Sequence, residues 1–437
     1  MNLGALKYAY RSPDLRRKVF AVLGLLIIFR LLAHIPVPVP DNAALASFLK
    51  TVFNSNKLLQ FADVFSGSAL SNFSIIMMGV GPYINASIVI QLLTQVVPKL
   101  EALSKEGEMG RRAITRYTRI LTLPFAIIQS FGMVVVIENT SKSITGTSLI
   151  GNPSFYQWFL MITTITAGSM LLMWIGELIT EQAIGNGISL IIFCGIVSQL
   201  PSGLGRISSL LSSDPGKLIP VLFFAVASLV VVAFVVILNE GQRNIPVSYA
   251  RRNQGTRVYA GVDTHLPLRV ITAGVIPIIF ALAFLSLPGL LGQFFANAKT
   301  HWIAAVARFL TVTFSSTGYI YPILYFILVV GFTYFYTSVV FKPTEIAENL
   351  QKQGGFIPGI RPGNQTATYL GRVVNRITLA GSVGLGIVGV LPFIVQAFTG
   401  STVLTIGGTS LLIVVGVALE TMKALEAQAI TTSYDNY

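Results

Sequence analysis

Apolar and polar positions alternate in long blocks along this chain. Ten apolar runs stand out, near 19–35, 73–97, 120–137, 155–175, 186–200, 218–238, 270–290, 319–341, 374–395 and 402–422. A helix that crosses a bilayer needs about 20 apolar residues, and it satisfies its own backbone polar groups where no water can. The pattern therefore predicts an all-α polytopic membrane protein with ten transmembrane helices. They take up about half the chain and leave only modest loops. The first run has no small-residue cleavage site, and Arg30-Leu31-Leu32-Ala33-His34 continues into Ile35-Pro36-Val37-Pro38-Val39-Pro40. It is expected to remain as a span, not to be removed as a signal peptide.

One stretch breaks the pattern. Phe61-Ala62-Asp63-Val64-Phe65-Ser66-Gly67-Ser68-Ala69-Leu70-Ser71-Asn72 is moderately apolar, too short to cross, rich in Gly and Ser, and runs straight into the second span. A short helical piece in such a place either re-enters the membrane, where irregular backbone must be surrounded by protein or water, or lies on the outer leaflet. Periodicity leaves both open.

The polar connections add direction. Alternate connections hold 22 of the Lys and Arg residues and the others hold 7, with Arg30 left inside the first span. Loop Lys/Arg bias sets orientation, which predicts both termini on the cytoplasmic side. The formal charge of +13 is accounted for in this way, without nucleic acid. With 53% hydrophobic and 11% charged residues, the chain has no room for a separate soluble domain. Two cytoplasmic loops are long and basic. One runs from Gln242 to Arg269, and the other, Phe341 to Tyr369, contains Gly354-Gly355-Phe356-Ile357-Pro358-Gly359-Ile360-Arg361-Pro362-Gly363. Gly and Pro at that density specify defined turns. Such a surface suits a cytoplasmic partner or anionic lipid.

Candidate chemistry is sparse. Cys194 is the only cysteine, which excludes an intramolecular disulfide and a thiolate cluster. His34, His265 and His301 show no ligand spacing, so no metal or other cofactor is expected. Charges within the spans are scarce: Arg30 lies near an end, and Glu177 and Glu240 sit at cytoplasmic ends. Ion-coupled carriers usually keep such groups deep in the membrane. Gly384-Leu385-Gly386-Ile387-Val388-Gly389 fits a dinucleotide-binding pattern but lies in an apolar span with no strand before it. Close helix packing explains it better. No catalytic pair is evident, and an enzyme is not expected. Asn85, Gln91, Gln95 and Gln129 lie inside spans, either as interhelical hydrogen-bonding groups or on a helix wall that meets water.

Several strings together resemble one family. They are Phe65 to Ser71 with Gly81-Pro82-Tyr83-Ile84-Asn85-Ala86-Ser87-Ile88-Val89-Ile90-Gln91; Gly185-Asn186-Gly187-Ile188-Ser189; Tyr249-Ala250-Arg251-Arg252; Thr264-His265-Leu266-Pro267-Leu268; Gly359-Ile360-Arg361-Pro362-Gly363; and Gly407-Gly408-Thr409-Ser410-Leu411-Leu412-Ile413. In this order and at these spacings they are similar to the SecY family, the channel subunits of bacterial-type protein translocases. The resemblance covers essentially the whole chain.

The resemblance implies two pseudo-symmetric five-helix halves around a central hourglass pore. Residues 1–205 would carry the first five spans and a short re-entrant plug helix at 61–72. Residues 206–437 would carry the rest, with cytoplasmic loops 239–269 and 342–372. It further implies that the protein passes unfolded secretory polypeptides across the bacterial inner membrane and releases transmembrane segments sideways into lipid. The SecA motor ATPase or the ribosome would drive this without any cofactor. Implied partners are the small membrane subunits SecE and SecG, precursors with signal sequences, and anionic lipids.

Site residues carried over by position are Val80, Ile84, Ile188, Ile192, Ile279 and Ile413 as an aliphatic pore ring. The spacing of the first two pairs puts each on one helix face. The plug would comprise Phe61, Val64, Phe65, Ser66, Gly67, Ser68, Ala69, Leu70, Ser71 and Asn72. Arg251, Arg252, Arg257 and Arg361 would dock the motor or ribosome. Asn85, Gln91 and Gln129 would line a lateral gate between the second, third, seventh and eighth spans. Two departures stand out: Val80 occupies a ring position typically rich in isoleucine, and the tail after Lys423 has Glu426 and Asp435 but no basic residue. The competing reading is a secondary transporter built on inverted repeats, but a second re-entrant segment is not evident.

Overall fold

The fold is that of a computed structural model, which describes residues 12–39, 45, 48–49, 63, 66–145, 154–213, 216, 218–249, 252–254, 257–259, 263–271, 274–295, 300–314, 320–399 and 402–435. Each apolar run carries a helix. In the first half these are α1 (Pro13–Leu32), α2 (Gly81–Val96) with its continuation α3 (Pro98–Lys105), α4 (Glu108–Thr145), α5 (Phe155–Glu181) and α6 (Gly187–Val197), followed by the short α7 (Leu200–Ser213). In the second half they are α8 (Leu218–Glu240), α9 (Ile276–Phe295), α11 (Ile320–Val340), α13 (Asn364–Thr399) and α14 (Thr402–Asp435), with the shorter α10 (His301–Thr313) and α12 (Pro343–Lys352) between them. By length and composition alone, six described helices are long and apolar enough to cross a membrane, or seven if the bent α2–α3 pair is one span.

The second span departs from its predicted extent. Residues 75–80 are turns, and α2 starts only at Gly81, because Pro82 is tolerated in a first helical turn but not in an interior. The chain before it is tied to the segment after α1: the Val37 N–H donates to Phe73 O at 2.9 Å and the Ile75 N–H to Ile35 O at 3.0 Å. At the other end the axis turns by 99° between α2 and α3. Val97 there is extended, as a residue preceding proline prefers.

The fold is mostly helical but not purely so. Among the described residues, five short strands accompany the helices: β1 (Gln242–Tyr249), β2 (Arg252–Gln254), β3 (Arg257–Tyr259), β4 (Asp263–Arg269) and β5 (Gly355–Phe356). β1 runs antiparallel to β4, from Gln242 opposite Arg269 to Ser248 opposite Asp263. It also pairs with β5 through Ser248 with Phe356 and Tyr249 with Gly355. Ile245 and Val247 of β1, two residues apart and therefore on one face, are buried with Leu268, Leu350, Ile357, Leu370 and Val373. The two long loops are thereby joined into one body.

Helix packing follows chain order. α2, α4, α5 and α6 pack successively, with α1 against α5 and α6, while α8, α9, α11, α13 and α14 pack among themselves. Between these groups the principal contacts are α9 against α2 and α4, and α14 against α6. The glycines at 384, 386 and 389 on α13 serve this packing. A Cβ on Gly386 would stand 2.7 Å from the Phe326 ring, and one on Gly389 3.0 Å from Tyr325.

Candidate functional site

The six ring candidates come from four helices that meet at the centre of the fold. Val80, at the start of α2, accepts the Ile84 N–H at 3.0 Å, which stacks the two one turn apart. The start of α6 is set by the Gly185-Asn186-Gly187-Ile188-Ser189 string. Asn186 Oδ1 caps the helix by accepting from the Ile188 N–H at 3.0 Å and the Ser189 N–H at 3.3 Å. The Gly187 N–H donates to Thr180 Oγ1 at 2.9 Å, and any Cβ at Gly187 would overlap the Gly176 carbonyl. α6 is thus seated against α5 with Ile192 facing the core. Val80, Ile84, Ile192, Ile279 of α9 and Ile413 of α14 are all buried in one continuous apolar cluster. Half-buried Ile188 packs against that cluster and lies over Gly176 of α5. The cluster also holds Phe29, Ile278, Leu282, Leu412 and others, so burial alone does not single out the six.

The candidate plug segment lies against this cluster. Phe61, Val64 and Phe65 fall outside the described residues, whereas Ser66 to Asn72 are described. Gly67 and Ser68 both have φ of 68°, and these two left-handed residues end any helix there; turns follow. Ser66, Gly67, Ala69, Leu70 and Ser71 are buried. A helix lying on the outer leaflet would expose its apolar side to lipid, and these residues do not. Ala69 joins the cluster of the ring candidates, while Leu70 joins a second cluster with Val37, Met77, Met133 and Ile165.

Polar bonds fold the segment on itself. Asp63 O accepts from the Ser68 N–H at 3.0 Å and Ser66 Oγ at 3.0 Å, and Asp63 Oδ1 accepts the Ser71 N–H at 2.8 Å. Bonds also reach in from outside: Arg30 Nη1 of α1 donates to Gly67 O at 2.7 Å, and Gln199 Nε2, just after α6, donates to Asp63 O at 3.1 Å. Sequence reasoning overlooked Asp63, Arg30 and Gln199 in this role. The isolated charge of Arg30 inside a span was the one available signal.

The three gate candidates lie on α2 and α4, the helices against which α9 packs. Asn85 is buried, and Gln129 extends from α4 towards Gly81 of α2. Gln91 Nε2 donates to Ser87 Oγ on its own helix at 3.1 Å. Asn85 Oδ1, Gln91 Oε1 and Gln129 Nε2 have no hydrogen-bond partner among the described residues. Ile84 and Ile88 of α2 share one buried apolar cluster with Ile278, Ile279 and Leu282 of α9. The acidic residues Glu177 and Glu240 at helix ends do pair: Arg119 with Glu177 at 2.7 Å, and Lys423 with Glu240 at 2.9 Å.

On the body formed by the two long loops, Arg361 is exposed at the tip of a turn shaped by Gly359 and Gly363, with φ of 81° and 97°. Its carbonyl accepts Thr366 Oγ1 at 2.9 Å, which fixes the backbone, and its guanidinium makes no bond among the described residues. Arg252 and Arg257 stand on the β2–β3 hairpin, Arg252 opposite Tyr259 and Arg257 opposite Gln254. Arg251 falls outside the described residues. Among the described residues no group of His, Cys, Asp and Glu could hold a metal ion.

Comparison with known proteins matches residues 74–422 to the SecY family model. The protein translocase subunit SecY of Streptomyces galbus is 40% identical, covering 100% of this chain and 99% of its own length. That of Halalkalibacterium halodurans is 43% identical, covering 98% of each. Among solved structures, a SecY protein studied for a plug domain that stabilises the closed translocation channel matches with a TM-score of 0.64 at 19% identity, over 93% of this chain and 91% of the other. Sec61 in a canine ribosome–channel complex matches with a TM-score of 0.61 at 18% identity, with the same coverage. With a family match over most of its length and full-length relatives at this identity, the chain belongs to the SecY family.

Proposed function

We propose that this chain is the pore-forming subunit of a protein translocase, conducting unfolded polypeptides across the membrane and releasing apolar segments sideways into lipid. The observation that carries the reading is full-length likeness to protein translocase subunits, at 40% identity and without large gaps. Residues 1–205 and 206–437 are the two halves, in keeping with helix contacts that are mostly internal to each group. Val80, Ile84, Ile188, Ile192, Ile279 and Ile413 form the constriction. An aliphatic ring closes to ions by dewetting and offers a passing chain no polar group to hold it. Residues 61–72 are the plug that seals it at rest.

The channel opens sideways where α9 meets α2 and α4, with Asn85, Gln91 and Gln129 along the opening. A seam built on apolar packing exchanges helix contacts for lipid or a signal helix at low cost. Arg361, with Arg251, Arg252 and Arg257 nearby, takes the cytoplasmic driver. A guanidinium is a planar, permanently charged fork for the carboxylates of a motor such as SecA or the phosphates of ribosomal RNA. The ribosome-bound Sec61 neighbour supports the second partner. SecE and SecG are the expected small subunits, precursors the cargo, and anionic lipid the surroundings. The membrane is the bacterial inner membrane, with both termini inside; the chain does no covalent chemistry. Depleting the protein should make precursors accumulate with uncut signal peptides. Normal export after depletion would overturn the reading.

A further inference from the structure

We propose that Arg30 and Gln199 are a two-point latch that sets how readily the plug leaves its seat. This rests on the plug reading above and concerns the energetics of that element. Asp63 O and Oδ1 gather the Ser66 hydroxyl and the Ser68 and Ser71 N–H groups, drawing residues 66–71 around Asp63. A unit bonded within itself can be displaced as a whole, so its grip on the channel is decided by contacts with other elements. Among the described residues, Arg30 and Gln199 make polar contacts of this kind.

They are unequal. Arg30 is an arginine in the last turn of a membrane helix, where a positive charge already suits the helix dipole. Dipole complementarity alone would leave the guanidinium free to reach the membrane surface. Instead it has no acidic partner among the described residues and spends Nη1 on Gly67 O at 2.7 Å, in the length range of a charge-assisted bond. Gly67 is also where the plug sits tightest, since a Cβ there would stand 2.9 Å from Gly195 Cα and 3.2 Å from the Phe29 ring. The grip therefore falls on the best-fitting point of the plug. Gln199 is the weaker point. Its amide shares Asp63 O with two donors from within the plug, and a carbonyl has only two lone pairs. Both anchors belong to the first half of the chain, so the plug is held to that half and not across the two halves.

The test measures resting ion conductance of the channel reconstituted in planar bilayers, and export of a precursor with a defective signal sequence, for Arg30→Gln, Arg30→Lys, Gln199→Leu and deletion of residues 63–71. Losing a charge-assisted bond should raise resting conductance roughly ten-fold for Arg30→Gln, and losing a neutral shared one roughly three-fold for Gln199→Leu. Arg30→Lys keeps the charge and one donor and should fall between Arg30→Gln and the unaltered protein. Should Arg30→Gln fail to insert, Arg30→Lys and Gln199→Leu carry the test. In the deletion background neither substitution should add conductance, which separates a latch from a merely structural residue. If the deletion leaks but the substitutions leave conductance unchanged, or add to the deletion, the latch is refuted and the plug survives. If the deletion itself does not leak, the plug reading falls, and the latch with it.

Discussion

Gly67→Ala is the smallest perturbation with a calculable effect on the closed state. The added methyl would stand 2.9 Å from Gly195 Cα, a backbone atom of α6, and 3.2 Å from both the Phe29 ring and Arg30 Nη1. The ring and guanidinium can give by a few tenths of an ångström, but the α6 backbone cannot move without shifting Ile192 and its neighbours. Overpacking of this kind costs about 1–3 kcal/mol. The left-handed φ of 68° adds about 1–2 kcal/mol for any L side chain, but that part weighs on seating only if the turn relaxes when the plug leaves. Taking the overlap alone, the balance between seated and displaced plug should move by roughly 5- to 100-fold. Resting conductance should rise accordingly, and precursors with weak signal sequences should be exported better. Gly24→Ala in α1 is the control, because nothing lies within 4 Å of its Cβ position. Equal conductance for the two variants would refute the packing argument.

Other perturbations address the remaining parts. Replacing Val80, Ile84, Ile192 and Ile279 with Ser should wet the constriction and raise ion leak, read as single-channel conductance; unchanged conductance would count against the ring. Arg361→Lys keeps the charge but loses the fork, so motor-driven export in inverted vesicles should fall while insertion stays normal. Full export would remove Arg361 from the docking surface. Pinning α2 to α9 with a crosslink across the seam should block membrane insertion of apolar segments, read by their alkaline extractability; normal insertion through the pinned channel would contradict a lateral opening there.

Much of the fold was legible because lipid imposes a strong rule: every backbone polar group must be met within a helix, so apolar runs map onto helices. All ten runs have their helix, and the α13 glycines pack where small residues were expected to. What escaped the pattern is tertiary. The delayed start of α2 depends on Pro82 together with bonds from residues 35 and 37, which no window over the span contains. The β1–β4–β5 sheet joins residues more than a hundred positions apart, although the alternation of Ile245 and Val247 with polar neighbours was visible locally. In the segment before α2, Ser66 and Ser71 are buried and bonded within the turn, a pairing that periodicity does not show. The partners that grip it, Arg30 and Gln199, lie 37 and 136 residues from their acceptors. Composition carried no trace of that meeting.

The central claim is that a polypeptide passes through the middle of this chain, between α2, α6, α9 and α14. The most direct test places a photo-crosslinker singly at Ile84, Ile192, Ile279 and Ile413, and at the exposed Leu222 and Phe309, and challenges each variant with a secretory chain stalled in transit. The account predicts adducts from all four central positions and none from the two outer ones. Adducts from the outer positions alone, or from none of the six while export proceeds, would contradict it.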